Sequence, residues 1–376
     1  MNFELTKEQQ MIQEMIRQFV QEKVAPTAVD RDRSGEFPQS LFRSLGELGL
    51  LGLPFAEEYG GSDADTTSFA IVVEELATAC GSTALGYSAH VSLGAAPIAA
   101  FGTEIQKEKF LMPLCRGESL GAFGLTEPGA GSDAGATKTT AVWNNGEFSI
   151  TGSKCYITNA SFAKFITITA KIEGEEGISA FIIPTNAKGV TITTPYEKLG
   201  LHSSNTTEIY LEDVRVGEDA LLGKRGEGFK QFLHTLDGGR IGIAALGVGL
   251  AEGAFRRALD YAKQRTQFGT SIGSFQAIKF KLADMAMQIE VARTMVYKAA
   301  WLKDQGRPYK REAAMAKLYA SEMSVDVCDE AIQIHGGNGY MKEYEVERMW
   351  RDAKLLEIGE GTSEVQRMVI ARSYGL

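Results

Sequence analysis

A chain of 376 residues exceeds the roughly 250–300 at which one hydrophobic core stops growing, so two or three domains are expected. Its composition, 44% hydrophobic and 23% charged, is ordinary for a globular protein, and a formal net charge of −9 argues against a general nucleic-acid or anionic-membrane partner. Four scattered cysteines (Cys80, Cys115, Cys155, Cys328) and four dispersed histidines form neither a disulfide framework nor a metal-binding pattern.

The opening residues have no basic segment followed by an apolar run, and no apolar stretch reaches the ~18 residues of a membrane span. A cytoplasmic protein without membrane insertion is expected. Thr6-Lys7-Glu8-Gln9 is a capping box, and apolar residues at 11, 12, 15, 16, 19, 20 and 24 then mark one helical face, which should end at Pro26. A second helix should start near Pro38 and carry Leu41, Phe42, Leu45 and Leu48, and a third should span about 66–80. Thr103-Glu104-Ile105-Gln106 is another capping box, opening a short helix expected to stop before Pro113.

From about residue 118 to 220 the period shortens. β-Branched runs occupy 148–151, 165–170, 178–183, 190–194 and 207–211, with Asn144-Asn145-Gly146 as the clearest hairpin signal, and together they predict a small sandwich or barrel. After Gly226-Glu227-Gly228 the helical period returns, most strongly over 275–304, 311–335 and 363–373, which predicts a bundle. The expected fold is α+β and multidomain: a helical domain over 1–118, a β-barrel over 119–225 and a helical bundle over 226–376.

Three glycine-rich stretches punctuate this plan. The first, Gly124-Leu125-Thr126-Glu127-Pro128-Gly129-Ala130-Gly131-Ser132-Asp133-Ala134-Gly135, invites close approach by an anionic ligand. Its spacing is not G-x-G-x-x-G, and the residues after it look like a strand, so a Rossmann site is not expected. The second, Gln333-Ile334-His335-Gly336-Gly337-Asn338-Gly339-Tyr340, ends a helix with more glycine than a C-cap needs. The third, Ile358-Gly359-Glu360-Gly361-Thr362-Ser363-Glu364, sets one carboxylate between two glycines just before a helix that Thr362 or Ser363 can cap. Substrate can approach such a carboxylate closely, as a proton-abstracting base requires. Asp237 and Arg240, three apart on a helix, pair with each other or with a ligand; Arg265 is either a solvated cation or a phosphate ligand.

Taken together these residues resemble the acyl-CoA dehydrogenase family along the full chain. The resemblance rests on the 124–133 stretch followed in order by Lys154-Cys155-Tyr156-Ile157-Thr158-Asn159, Asp237-Gly238-Gly239-Arg240, Gln264-Arg265-Thr266-Gln267-Phe268-Gly269, Gln333-Ile334-His335-Gly336-Gly337 and Glu360-Gly361-Thr362. It implies a bacterial short- to medium-chain or short-branched-chain enzyme that uses FAD to convert an acyl-CoA thioester to a trans-2-enoyl-CoA. Glu360 would take the α-proton while flavin N5 takes a β-hydride. The thioester carbonyl would be polarised by the Glu360 backbone N–H and the flavin ribityl 2′-OH.

The resemblance also assigns Phe123, Leu125, Thr126, Ser132, Tyr156 and Thr158 to the cofactor, and Ser132, Asp237, Arg240 and Gly361 to the substrate. Arg265, Phe268, Gln276, Gln333, Gly336 and Gly337 would hold the FAD of a neighbouring subunit, with Thr362 and Glu364 as further FAD contacts. A homotetramer built as a dimer of dimers follows, with electron-transferring flavoprotein as the electron acceptor. Gly359 stands where many members carry an aromatic, and Tyr156 where Trp or Phe is commoner. Gly239 lies where a branched-chain subgroup places its base. The same residues also suit an acyl-CoA oxidase using O₂, or a catalytically silent CoA- or nucleotide-binding protein.

Overall fold

A computed structural model describes residues 4–376. The first helix, Lys7–Phe19, starts on the expected capping box: the Gln9 N–H donates to Thr6 Oγ1 at 3.2 Å, and the Thr6 N–H to Gln9 Oε1 at 2.9 Å. Pro26 does not end it. A π-helical turn, Val20–Val24, leads straight into helix Ala25–Ser34. The helix opened at Thr103 likewise continues past Pro113, through the π turn Lys107–Leu111 into Met112–Cys115.

One device explains both departures from expectation. The residue before each proline donates to the carbonyl five back, Ala25 to Val20 and Met112 to Lys107. The widened turn gives the proline ring the room that an α-turn would deny it. Ala96, before Pro97, repeats the pattern after the π turn His90–Ala95.

Helices Thr66–Ala77 and Gly81–Ala89 are buried on every face along their whole length, with other helices packed around them. The carboxylates on the first of them are matched by other helices, Glu74 from the C-terminal bundle and Glu75 from the first helix. Arg293 and Tyr297 donate to Glu74, and Arg17 and Gln13 to Glu75.

The middle of the chain is one eight-stranded sheet. Strands Val190–Ile192, Thr206–Gly217, Glu147–Thr158, Thr140–Asn144, Phe165–Ile172, Ser179–Pro184 and Leu221–Leu222 lie side by side in that order, and Phe123–Gly124 adds in parallel to Phe165–Ile172. The hairpin at Asn144–Glu147 turns on Asn145 and Gly146, both with positive φ, which suits a right-twisted pair. The strands are longer than their β-branched runs, since two of them continue for 12 residues through polar and glycine positions.

Ile166, Ile168, Phe181 and Ile183 point into the sheet's own core, while Phe165, Ala180 and Ile182 pack on the helices. Period-2 alternation therefore serves two apolar layers at once. The C-terminal region holds the long helices Gly228–Gln264, Gln276–Asp304 and Lys310–His335, with Val346–Ala353 and Ser363–Ser373 completing it.

Candidate active site

The Glu360 turn lies between helices Val346–Ala353 and Ser363–Ser373, against the side of Gly228–Gln264. Glu360 and Gly361 both adopt left-handed backbone, with φ of 54° and 94°. That conformation is natural for Gly361 and unusual for a glutamate, a form of strain found at functional sites. Thr362 then caps the next helix by accepting from the Val365 N–H at 3.3 Å.

The turn directs Glu360 inward. Its Oε2 is buried with no hydrogen-bond partner among the described residues, although the residue as a whole is only half-buried. Gly239 makes room for it, since a Cβ there would collide with Oε2 and crowd Leu93. Leu93 itself comes from the π turn before Pro97.

Burial pushes the Glu360 carboxyl up to about 7, against the opposing pull of Lys317 and Arg240. The Glu360 backbone N–H also makes no hydrogen bond among the described residues. The turn thus offers a carboxylate and a free N–H donor on one and the same residue.

Asp237 and Arg240 are buried and pair with each other on the helix, and the Arg240 charge reaches Glu360. Phe232, lower on the same helix, stacks on Phe123 with ring centroids 4.1 Å apart. Phe123 leads through Leu125 to Thr126, whose carbonyl accepts from the Cys155 N–H at 2.9 Å.

At that point the long strand is bulged: its register with Thr206–Gly217 shifts between Lys154 and Ile157. Tyr156 takes a φ of 59° and turns outward, 66% exposed, while half-buried Thr158 stands beyond it. Buried Asn159 anchors this end by donating to the Gly86 carbonyl at 2.9 Å. Phe123, Leu125, Thr126, Tyr156 and Thr158 therefore occupy neighbouring positions, linked through Phe232 to the helix carrying Gly239. Ser132 lies farther along the loop and is exposed.

The glycine-rich loop is held by a buried ion pair. Lys154 Nζ donates to Glu127 Oε1 at 2.7 Å and to Thr169 Oγ1 at 3.1 Å, with Lys154 fully buried and Glu127 5% exposed. Glu127 also accepts from the Lys138 N–H at 2.6 Å, the Thr139 N–H at 3.1 Å and the hydroxyls of Thr137 and Thr139. Burial opposes the charge, but these donors outweigh it and hold the carboxyl near 2.

The remaining candidates gather elsewhere. Arg265, Phe268, Gln276, Gln333, Gly336 and Gly337 are all exposed, Phe268 by 95%. They share one end of the bundle, where Tyr261 stacks on His335 at 4.3 Å and accepts a hydrogen bond from Asn338 at 2.9 Å. Gly239 lies 25 residues before the C-terminal end of the helix at Gln264, about 37 Å at 1.5 Å per residue. Within one chain, then, the two sets stand far apart. Glu364 is exposed beside Thr362, and Gly361 is half-buried.

Comparison with known proteins agrees with this layout. Models of the N-terminal, middle and C-terminal domains of acyl-CoA dehydrogenase match residues 6–118, 122–214 and 226–375. The chain belongs to the acyl-CoA dehydrogenase family. Its relatives include "Probable acyl-CoA dehydrogenase YngJ" of Bacillus subtilis, 62% identical over 99% of both chains. Among solved structures, butyryl-CoA dehydrogenase of Megasphaera elsdenii superposes with a TM-score of 0.98 at 47% identity, covering 100% of each chain. A chain of the structure reported as "Electron transferring flavoprotein of Acidaminococcus fermentans: Towards a mechanism of flavin-based electron bifurcation" also gives 0.98 at 47%, covering 100% of this chain and 99% of that one.

Acyl-CoA dehydrogenases are FAD-dependent oxidoreductases, and the residues present suit that cofactor. Tyr156 offers a flat, exposed aromatic face beside a hydroxyl at Thr158. Gly336 and Gly337 leave open space where a Cβ would stand.

Sequence reasoning missed Lys317 and Gln366, which hold the Glu360 turn from behind. A lysine within the run Ala313–Ala320 was the available signal. Leu93 carried none.

Proposed function

We propose that the enzyme desaturates a short acyl-CoA between its α and β carbons, with Glu360 as the base that removes the α-proton. The observation that carries this reading is the buried, unpartnered Oε2 of Glu360, aimed at the gap left by Gly239. Burial keeps the carboxylate basic enough to accept a proton near neutral pH, where an ordinary carboxylate is too weak a base. As the α-proton leaves, charge develops on the thioester oxygen, and the unengaged Glu360 N–H is placed to donate to it.

FAD, when bound, supplies the acceptor for the hydride that leaves Cβ. Tyr156, Thr158, Leu125, Thr126, Phe123 and Ser132 are assigned to it from one chain. Arg265, Phe268, Gln276, Gln333, Gly336 and Gly337 are assigned to the FAD of a neighbouring subunit in a homotetramer, and the wide separation of the two sets within one chain supports a site completed by a second subunit. Thr362 and Glu364 are further FAD contacts. Asp237, Arg240 and Gly361 belong to the CoA side of the site. The name of the butyryl-CoA dehydrogenase neighbour favours a short acyl group, and the Acidaminococcus neighbour favours electron-transferring flavoprotein as acceptor.

Stopped-flow bleaching of the flavin by butyryl-CoA tests the assignment. Glu360→Gln is expected to slow it by about 10²–10⁴-fold with flavin content unchanged. Bleaching at the full rate would remove Glu360 as the base.

A further inference from the structure

Lys317 is out of place by ordinary packing rules. It projects from helix Lys310–His335 at a position flanked by buried Ala313, Ala314, Ala316 and Ala320, and it is fully buried. A methionine would fill similar volume without the cost of desolvating a charge. Its one hydrogen bond among the described residues runs from Nζ to the Gly361 carbonyl at 2.8 Å.

From helix Ser363–Ser373, Gln366 Nε2 donates to the same carbonyl at 2.9 Å and to that of Glu360 at 3.3 Å. Two side chains from two helices therefore grip successive carbonyls of the turn whose residues are both left-handed. The grip lies on the backbone and leaves the Glu360 carboxylate and N–H free.

We propose that Lys317 is a positioning residue for Glu360: with Gln366 it fixes the strained turn, and its ammonium favours the ionised carboxylate. This rests on the reading of Glu360 as the base. The charged groups around the pair are few. Arg240, already bound to Asp237, faces both Glu360 and Lys317 from helix Gly228–Gln264, and Glu357, Glu322 and Glu364 face Lys317. Burial lowers the Lys317 ammonium to about 8 while Glu360 pulls it back up, so the cation persists at neutral pH.

The test compares the FAD-loaded wild type with Lys317→Met, Lys317→Arg and Lys317→Gln by the pH profile of kcat/KM with butyryl-CoA. KM, flavin absorbance and Tm are recorded alongside. In Lys317→Met the acidic limb is expected to move up by about one pH unit, because Glu360 loses an attracting charge. The plateau kcat should fall about tenfold as the turn loosens, with KM changed less than about threefold. Lys317→Arg should keep the wild-type limb.

If Lys317→Met fails to fold, Lys317→Gln makes the same comparison, keeping a donor for Gly361 while losing the charge, so its limb must still move. An unmoved limb in the neutral variants, or Lys317→Arg behaving like Lys317→Met, would overturn the proposal. Glu360→Gln run in parallel separates the two readings. Full activity in it overturns the base assignment, whereas an inactive Glu360→Gln with an unmoved limb overturns only the role of Lys317.

Discussion

Glu127 and Glu360 are both carboxylates taken out of water, and the protein treats them in opposite ways. Glu127, in the glycine-rich loop, receives donors from Lys154, Thr137, Lys138 and Thr139 and is held near 2. Glu360, in the other glycine-flanked turn, is left with a bare Oε2 and rises to about 7. Burial is common to both, so the number of donors decides the outcome. A saturated carboxylate can only hold structure; a deprived one can take a proton. The loop that looks most like a binding motif is thus pinned by its glutamate, and the chemistry is proposed instead for a turn gripped through its backbone.

Several substitutions sharpen that contrast. Lys154→Met removes the cation and leaves Glu127 buried with only neutral donors, which should cost about 3–5 kcal/mol and show as a large drop in the urea midpoint. A midpoint within error of wild type would mean the pair contributes nothing. Gly239→Ala places a methyl where Glu360 Oε2 lies, so the carboxylate must shift. The expected result is a loss of about 10²-fold in kcat with stability little changed, and an unaltered kcat would contradict the placement of the base.

Stability against pH should separate the two carboxylates by sign. The Glu127 carboxyl lies below its ordinary 4.5, so its contribution is present above that pH and lost as pH falls through about 2. The Glu360 carboxyl lies above 4.5, so its contribution is complete below that pH and lost as pH rises through about 7. In Glu360→Gln the decline in Tm between pH 5 and 8 should flatten. The smallest effect is expected of Thr362→Ala, which deletes an N-cap and should cost about 1 kcal/mol in equilibrium unfolding.

Much of this was legible in the sequence because it depends on local rules. Both capping boxes form, the Asn145-Gly146 hairpin turns as expected, and the long C-terminal helices begin and end within a residue of their apolar stripes. The helix ends predicted at Pro26 and Pro113 failed because a π turn is a backbone adjustment with no residue signature of its own. In the site, glycine spacing marked the Glu360 turn. The partners of Glu360 are set by long-range packing: Leu93, Gly239 and Lys317 come from three separate helices, and nothing near Glu360 in sequence points to them.

The central claim, that Glu360 is a base made by being deprived of partners, is most directly tested by the pH dependence of flavin bleaching under single-turnover conditions. The rate with butyryl-CoA should fall tenfold per pH unit below an inflection near 7, and Glu360→Gln should be slow and flat across the range. A wild-type rate that stays constant down to pH 5 would show that the base ionises like an ordinary carboxylate, and would contradict the account.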